Sequence, residues 1–595
     1  MVWFLWLFVA HDLRFPVGPD APVYLWWMRA AGHSGLSVVG QRPGTPAFML
    51  AVAGALHLSP VSATAGIEVA AGVAVGLASC AFARACEGVS RAAWVLGGVL
   101  AGTFAVHLVA GYLSNLLFAV AFLGACAALC DERRRGTLAA AVLLGAGGLA
   151  HPQFFVPGAA ILLLVAGWAL LIRSDESEFA RIAWAVGCGA CLVVLALASM
   201  VLGPAVLPVD TSRDGFMRRA GLRDLVRAAY ADRFVHRWTR YVQWLSLPLA
   251  AAGSLRVGGT GRRILRAWLV VIVAGIPVGL LTGLFPADRL ITFGYAVPIL
   301  AGFGTVWLYR RLGSTRAGPR LAAAACAGLV ATMSAGSLIA WNRQAPFVTG
   351  AQVTQLQVLN RYVAGTPADA TIVVRVDSGD ETATFAATQA ANLIRASVPP
   401  DRIADVHVEV ATDQTSGLPD EERRLLSEVT AREARQAIAD ANGRVLFARL
   451  DVFFPFDLIK GPPSADGLAV APGVRIDVQG FEAQPAPEPI DPLEPSSPWG
   501  IVGASAMVLA MVWVVGYGWA RTVTDRTAAV ALAPAFGAAA VTLVAVVAER
   551  AGLPLDGWVG PTLVSALAGG GGYFCRLRLG TQGQTVAEPP PEIEQ

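Results

Sequence analysis

The chain of 595 residues is 55% hydrophobic and only 15% charged, with a mean hydropathy of +0.57, which excludes a soluble protein of this length and points to an integral membrane protein. The net charge of +3 is small, and Lys460 is the only lysine among 45 basic residues, a bias that a GC-rich bacterial genome explains and that asks for no nucleic-acid partner. The eight cysteines all lie in or beside apolar runs, so no disulfide framework is implied, and Cys188 and Cys191, a CxxC within an apolar segment, read as core packing.

In chain order, repeated apolar runs of roughly 18 to 23 residues predict about fourteen transmembrane helices, because each crossing segment must satisfy its own backbone hydrogen bonds in lipid. They lie near 1 to 10, 62 to 84, 92 to 109, 113 to 130, 137 to 150, 155 to 172, 181 to 203, 241 to 254, 266 to 285, 290 to 309, 321 to 341, 500 to 520, 527 to 548 and 557 to 575. Met1 to Ala10 is short for a crossing and no small-residue cleavage site follows it, so the native start is expected upstream or the first helix truncated. The run "TPAFMLAVAGALHL" (45 to 58) is also short, and it reads as a helix lying on or dipping into the outer leaflet.

Orientation follows the arginines. "DERRRG" (131 to 136), "RVGGTGRR" (256 to 263), "RRLGSTRAGPR" (310 to 320) and "RLRLG" (576 to 580) fall on one side if each segment crosses once, and that side is read as cytoplasmic. By alternation, residues 11 to 61, 204 to 240 and 342 to 499 face outward. Residues 213 to 240 run against the trend with about eight arginines; the spacing of Phe216, Leu222, Leu225 and Val226 predicts an interfacial helix meeting lipid phosphates. If 241 to 254 does not cross, the topology beyond it inverts.

The one sizeable hydrophilic stretch follows. "ATIVVRVD" (370 to 377), "DVHVEVA" (405 to 411) and "RVLFARLD" (444 to 451) predict strands, and 381 to 396 and 419 to 441 predict helices, an alternation that suggests a small α/β domain. The expected fold class is therefore a polytopic α-helical membrane protein with one extracytoplasmic α/β domain. Its parts are a membrane core over 1 to 341 with outward loops 11 to 61 and 204 to 240, the α/β domain over 342 to 481, and a stiff proline-rich linker over 482 to 499. Further transmembrane helices over 500 to 575 and a cytoplasmic tail over 576 to 595 complete it. There is no Walker, GxGxxG or zinc-ligand pattern.

The chemistry-bearing residues gather in outward loops. Asp20 sits in Gly-Pro-Asp-Ala-Pro and reads either as a reactive carboxylate at the membrane surface or as the cap of the helix that follows. Tyr24, Trp26 and Trp27 read either as an interfacial aromatic belt or as ligand contacts. Asp12, beside His11, is a candidate second acid or metal ligand, or simply part of a polar helix end. Arg289 is placed to bind phosphate, to pair with Asp288, or to snorkel. His151 marks a His-Pro break whose imidazole is a lesser candidate.

The order of these features, a first helix, "GPDAPVYLWWMRAAG", then "RPGTPAFMLAVAGALHLSPVSA" and a helix ending in a basic turn, resembles the GT-C superfamily of polytopic glycosyltransferases. "GYLSN" (111 to 115), "LAHPQFF" (149 to 155) and "PADRLITFGYAVPIL" (286 to 300) sit where such proteins place outward helix ends, and the likeness covers roughly residues 1 to 375. The resemblance implies transfer of a sugar from a polyprenyl-phosphate donor to a glycan or lipid acceptor of the cell envelope. It implies Asp20 as general base and Arg289, helped by Arg218 or Arg219, as the clamp on the departing phosphate, since such transfer needs a proton acceptor and positive charge. Tyr24, Trp26, Trp27 and His151 become substrate-contact candidates. Family members often carry a second outward acid where this chain offers only Ser114 and Asn115; Asp210 and Asp214 are the substitutes, and a divalent cation stays open as a cofactor. Two other classes are kept: a transporter or flippase, for which Glu68 is the main intramembrane acid, and a non-catalytic assembly protein.

Overall fold

The computed structural model describes all residues except 19, 40, 41, 110, 174, 202–244, 283–286, 315–317, 377–391, 411–419, 451–466, 488–492 and 585–595. The chain is helical from α1 (Val2–Ala10), α2 (Ala21–Ser34), α3 (Gly44–Ala55), α4 (Pro60–Ala85) and α5 (Arg91–Phe104) onward. There follow α6 (Val106–Val109), α7 (Leu113–Leu129), α8 (Arg134–Ala150), α9 (Pro152–Arg173), α10 (Glu176–Val201) and α11 (Ser246–Ser254). Next come α12 (Gly259–Thr282), α13 (Ala287–Thr292), α14 (Ala296–Gly313) and α15 (Gly318–Asn342). Beyond a sheet region come α18 (Pro498–Val523), α19 (Arg526–Arg550) and α20 (Val559–Gln584).

Among the described residues, seven helices are long and apolar enough to cross a membrane: α4, α9, α10, α12, α15, α18 and α19. This is a multi-pass membrane protein, with seven full-length spans among the described residues against the fourteen expected. The other expected segments are helical too, but α5 and α7 are shorter apolar helices, and of 241 to 254 the described residues form the 9-residue α11. The α3 run, expected on or dipping into the outer leaflet, is packed inside the helix bundle. Nine of its twelve residues are buried, because α2, α8, α19 and α20 close around it.

Small residues let these helices approach. A Cβ on Gly98 would strike Cys80 of α4, one on Gly302 of α14 would strike the backbone of Gly97, and Gly516 and Gly537 interlock α18 with α19. The short α11 packs on α14 in the same way, Gly253 against Leu300 and Gly304 against the Leu249 carbonyl. Gly304→Leu should therefore force α11 away and destabilise the protein by about 1–3 kcal/mol. Thermal unfolding in detergent checks this against Gly328→Ala, where a Cβ meets open space.

The turns segregate to two ends. At one, Glu87 forms a bridge with Gly258, Arg181 donates to the carbonyls of Leu129 (3.0 Å) and Asp131 (2.9 Å), and Glu178 binds Thr260 (3.0 Å) and Arg263. Arg84 pairs with Asp525 at 2.7 Å, Arg256 and Arg311 both lie over Trp307, and Arg576 lies over Tyr517. The four arginine-rich turns noted in the sequence thus share one end of the molecule.

The other end carries the sheet region: α16 (Gly350–Ala364), β1 (Thr371–Val376), β2 (Val406–Val410), α17 (Asp420–Asp440), β3 (Val445–Leu450), β4 (Leu468–Ala471) and β5 (Val474–Gln479). The strand order is β2-β1-β3-β5-β4, with β2, β1 and β3 parallel and β5 and β4 antiparallel. β1 to β3 fall on the three β-branched stretches picked out above. Residues 392–397 are helical, within the 381 to 396 segment, whose remainder lies outside the described residues. The first loop is stitched to both flanks of this region: Gly18 N–H to Ala345 O (3.2 Å), Phe347 N–H to Pro16 O (3.1 Å) and Ser496 N–H to Arg14 O (2.9 Å).

Candidate active site

Asp20 opens α2, with Pro22 in the first turn, yet its carboxylate makes no capping hydrogen bond. The capping alternative is thus not what the side chain does. It is half-buried, and its charge is felt by Tyr24 on the next turn and by Glu68 of α4. The backbone around it is tightly specified. Gly18 has φ +91°, and Gly111 of "GYLSN" has φ +102°; a Cβ on Gly111 would lie 3.1 Å from the Asp20 amide and 3.3 Å from Gly18. Only glycine meets both demands.

Beside Asp20, three helix N-termini converge. Thr45 at the start of α3 bonds Ser114 Oγ at the start of α7 (2.9 Å) and donates to Ala150 O at the end of α8 (3.2 Å). Arg42, just before α3, reaches Gln153 in the first turn of α9 (3.5 Å) and lies over the Trp27 ring at 5.9 Å. Helix N-termini bring a positive dipole end, one element of an anion site, while the Ser114 and Phe154 amides there are held by Tyr24 Oη and His151 Nδ1. Arg289 of α13 adds a second guanidinium, 4.9 Å from the Tyr112 ring. Its proposed pairing with Asp288 cannot be placed, because the Asp288 side chain lies outside the described residues.

His151 ties the two arginines to one locus. Burial first, then the charges of Arg42 and Arg289, hold its imidazole well below the usual histidine range. It is neutral at pH 7, and Nδ1 accepts the Phe154 amide (3.2 Å), which caps α9. His151→Ala should cost about 0.5–2 kcal/mol of stability as a lost cap. Because the folded-state affinity for a proton is depressed, wild-type stability should fall as pH drops through about 6.5, and the variant should lack that increment. Unfolding temperature measured between pH 5 and 8 reads both effects.

Tyr24 is buried, its Oη accepts the Ser114 amide (3.3 Å), and burial followed by the Asp20 charge pushes its phenol up. Trp26 and Trp27 do not form the expected belt: both are buried inside protein, because the sheet region and α3 cover α2. Trp26 Nε1 donates to Asn392 (3.1 Å) with Arg395 over its ring, and Arg29 donates to the Ala396 carbonyl. Asp12 stands apart, exposed in an ion pair with Arg14 (3.2 Å), while His11 turns to Asn342 (3.0 Å). Arg218, Arg219, Asp210 and Asp214 lie outside the described residues.

Arg42 was not singled out from the sequence; the only signal was an arginine directly before "PGTP" in an otherwise apolar run. Glu68, weighed there only for transport, is fully buried and close enough to Asp20 to interact with it. Among the described residues no group of three or more His, Cys, Asp or Glu is arranged to hold a metal ion.

No protein-family model matches the chain, and no curated protein does. Among solved structures it is similar to the archaeal oligosaccharyltransferase of Archaeoglobus fulgidus, at 12% identity in the apo form, covering 73% of this chain and 66% of that one with a TM-score of 0.43. The zinc and sulfate complex of that protein, of which 64% is covered, has a TM-score of 0.44. The chain is similar as well to ArnT from Cupriavidus metallidurans, 14% identical, with 75% of this chain and 90% of that chain covered and a TM-score of 0.44 in the apo state; bound to undecaprenyl phosphate, ArnT gives 0.42.

Proposed function

We propose that this protein is a membrane glycosyltransferase of the GT-C type, moving a sugar from a polyprenyl-phosphate donor to an acceptor in the bacterial cell envelope. The observation that carries the reading is the juxtaposition, at one end of the bundle, of the Asp20 carboxylate with Arg42, Arg289 and the N-termini of α3, α7 and α9. The arginine-rich turns occupy the opposite end. The positive-inside trend supports reading those turns as cytoplasmic and the site and sheet region as outward.

In this reading the donor phosphate lies against the arginines and helix N-termini, and its lipid tail runs down between helices. The acceptor hydroxyl approaches C1 of the sugar. As the new C1–O bond forms, Asp20 takes the hydroxyl proton and the bond from C1 to the phosphate oxygen breaks. The charge released onto the polyprenyl phosphate is met by Arg42 and Arg289, which are already positioned for it. The sheet region, clamped to α2 through Trp26 and Arg29, holds the acceptor side.

The test is release of free polyprenyl phosphate from polyprenyl-phosphate sugars by purified protein in proteoliposomes, with undecaprenyl phosphate as the first carrier. Acceptor-dependent release supports the reading. Transmembrane flux of the intact lipid without bond cleavage would replace it with a flippase.

A further inference from the structure

Four buried side chains around Asp20 carry polar atoms with no hydrogen-bond partner among the described residues. They are Trp27 Nε1 on α2, both carboxyl oxygens of Glu68 on α4, Asn115 Nδ2 on α7 and Tyr295 Oη just before α14. Unpaired buried polar groups are rare in native interiors, and a group of them marks a place that a ligand or water completes.

Contacts link the set. The Trp27 ring lies 5.5 Å from Tyr24, whose hydroxyl accepts the amide of Ser114, the neighbour of Asn115. Helices α4 and α7 pack side by side, and Glu68 interacts with the Asp20 charge from about two turns inside α4. The Tyr295 ring packs on Phe104 of α5 (5.4 Å) and its amide bonds Phe293 O; the Phe293 ring touches both Phe118, one turn after Asn115, and Phe154, which meets His151 edge to face. The four groups thus sit on α2, α4, α7 and the start of α14, elements linked to one another by these contacts beside the proposed reaction centre.

Their chemistry is selective. Three offer donors, an indole N–H, an amide NH2 and a phenol O–H; one offers a carboxyl; none is a cation. Ring hydroxyls, each both donor and acceptor, satisfy such a set, and the Trp27 and Tyr24 rings suit the apolar face of a sugar. A second acid beside Asp20 repels a third. Resting on the glycosyltransferase reading, we propose that Trp27, Glu68, Asn115 and Tyr295 form the pocket for the donor's sugar ring, and that it takes an uncharged, hydroxyl-bearing sugar and rejects a uronic acid.

The experiment is a binding titration of the full-length protein in nanodiscs with three lipids: polyprenyl phosphate, polyprenyl-phosphate hexose and polyprenyl-phosphate uronic acid. Wild type should bind the hexosyl lipid about tenfold or more tightly than the other two, the worth of a few buried hydrogen bonds. Glu68→Gln and Asn115→Ala should each lose most of that preference while still binding the bare lipid, which also shows that they are folded. The proposal is overturned if wild type treats hexosyl and bare lipid alike, prefers the uronic acid, or keeps its preference in both variants. Failure to bind any of the three lipids is a different result: it overturns the glycosyltransferase reading itself and this pocket with it.

Discussion

Asp20→Asn should lower sugar transfer by a factor of about 10²–10⁴ while changing donor affinity little. The asparagine keeps the shape and the half-buried position at the start of α2, and because the native carboxylate makes no capping bond, no cap is lost. What disappears is the ability to accept a proton when the acceptor oxygen attacks. A loss confined to kcat, with the unfolding temperature unchanged, is the signature; equal transfer by wild type and variant would reduce Asp20 to a turn residue. Glu at this position should recover little, because Gly111 lies directly against the backbone of Gly18 and Asp20 and leaves no slack to withdraw a longer side chain.

Removing the positive charge should be nearly as costly. Arg289→Ala and Arg42→Ala should each reduce transfer by about 10²–10³, in line with the loss of one preorganised group that stabilises developing charge. Part of each loss should appear as weakened binding of polyprenyl phosphate itself, read as reduced product inhibition. Lysine at 289 should rescue only partly, since an ammonium neither bonds in bidentate fashion nor stacks on the Tyr112 ring as the guanidinium does. The two single losses should not add fully, because both arginines act on one phosphate. Transfer that survives the double substitution would remove the arginines from the mechanism.

The legible parts of this protein were those written in local pattern. A Gly-Pro-Asp-Ala-Pro turn beside an apolar run announced Asp20, and the β-branched stretches announced β1 to β3. The strands β4 and β5 escaped because Leu468–Ala471 is short and Pro472 and Gly473 interrupt the run between them. The site's second arginine escaped for another reason. A lone arginine near a helix start looks like any snorkelling residue, and only the fold brings Arg42 to Gln153, over a hundred residues away. The tryptophans look interfacial in sequence because what covers them, α3 and residues 392–397, is recruited from elsewhere in the chain. The fourteen spans expected from apolar runs stand against seven full-length ones among the described residues, because runs such as those of α5 and α7 form shorter helices packed on their neighbours.

The stitching of the first loop to Ala345, Phe347 and Ser496 has a consequence for how the protein is made. The Asp20 loop is synthesised well before its backbone partners, and Ser496, which fixes Arg14, follows it by about 480 residues. At about 5–20 residues per second, that interval is about 25–95 s. Arg289 itself follows Arg14 by about 275 residues, and from then until Ser496 emerges the nascent chain carries Asp20, Arg42 and Arg289 without the last bond that pins the first loop. Competence arrives late and all at once, so a truncated product released before α18 would insert into the membrane yet be chemically silent.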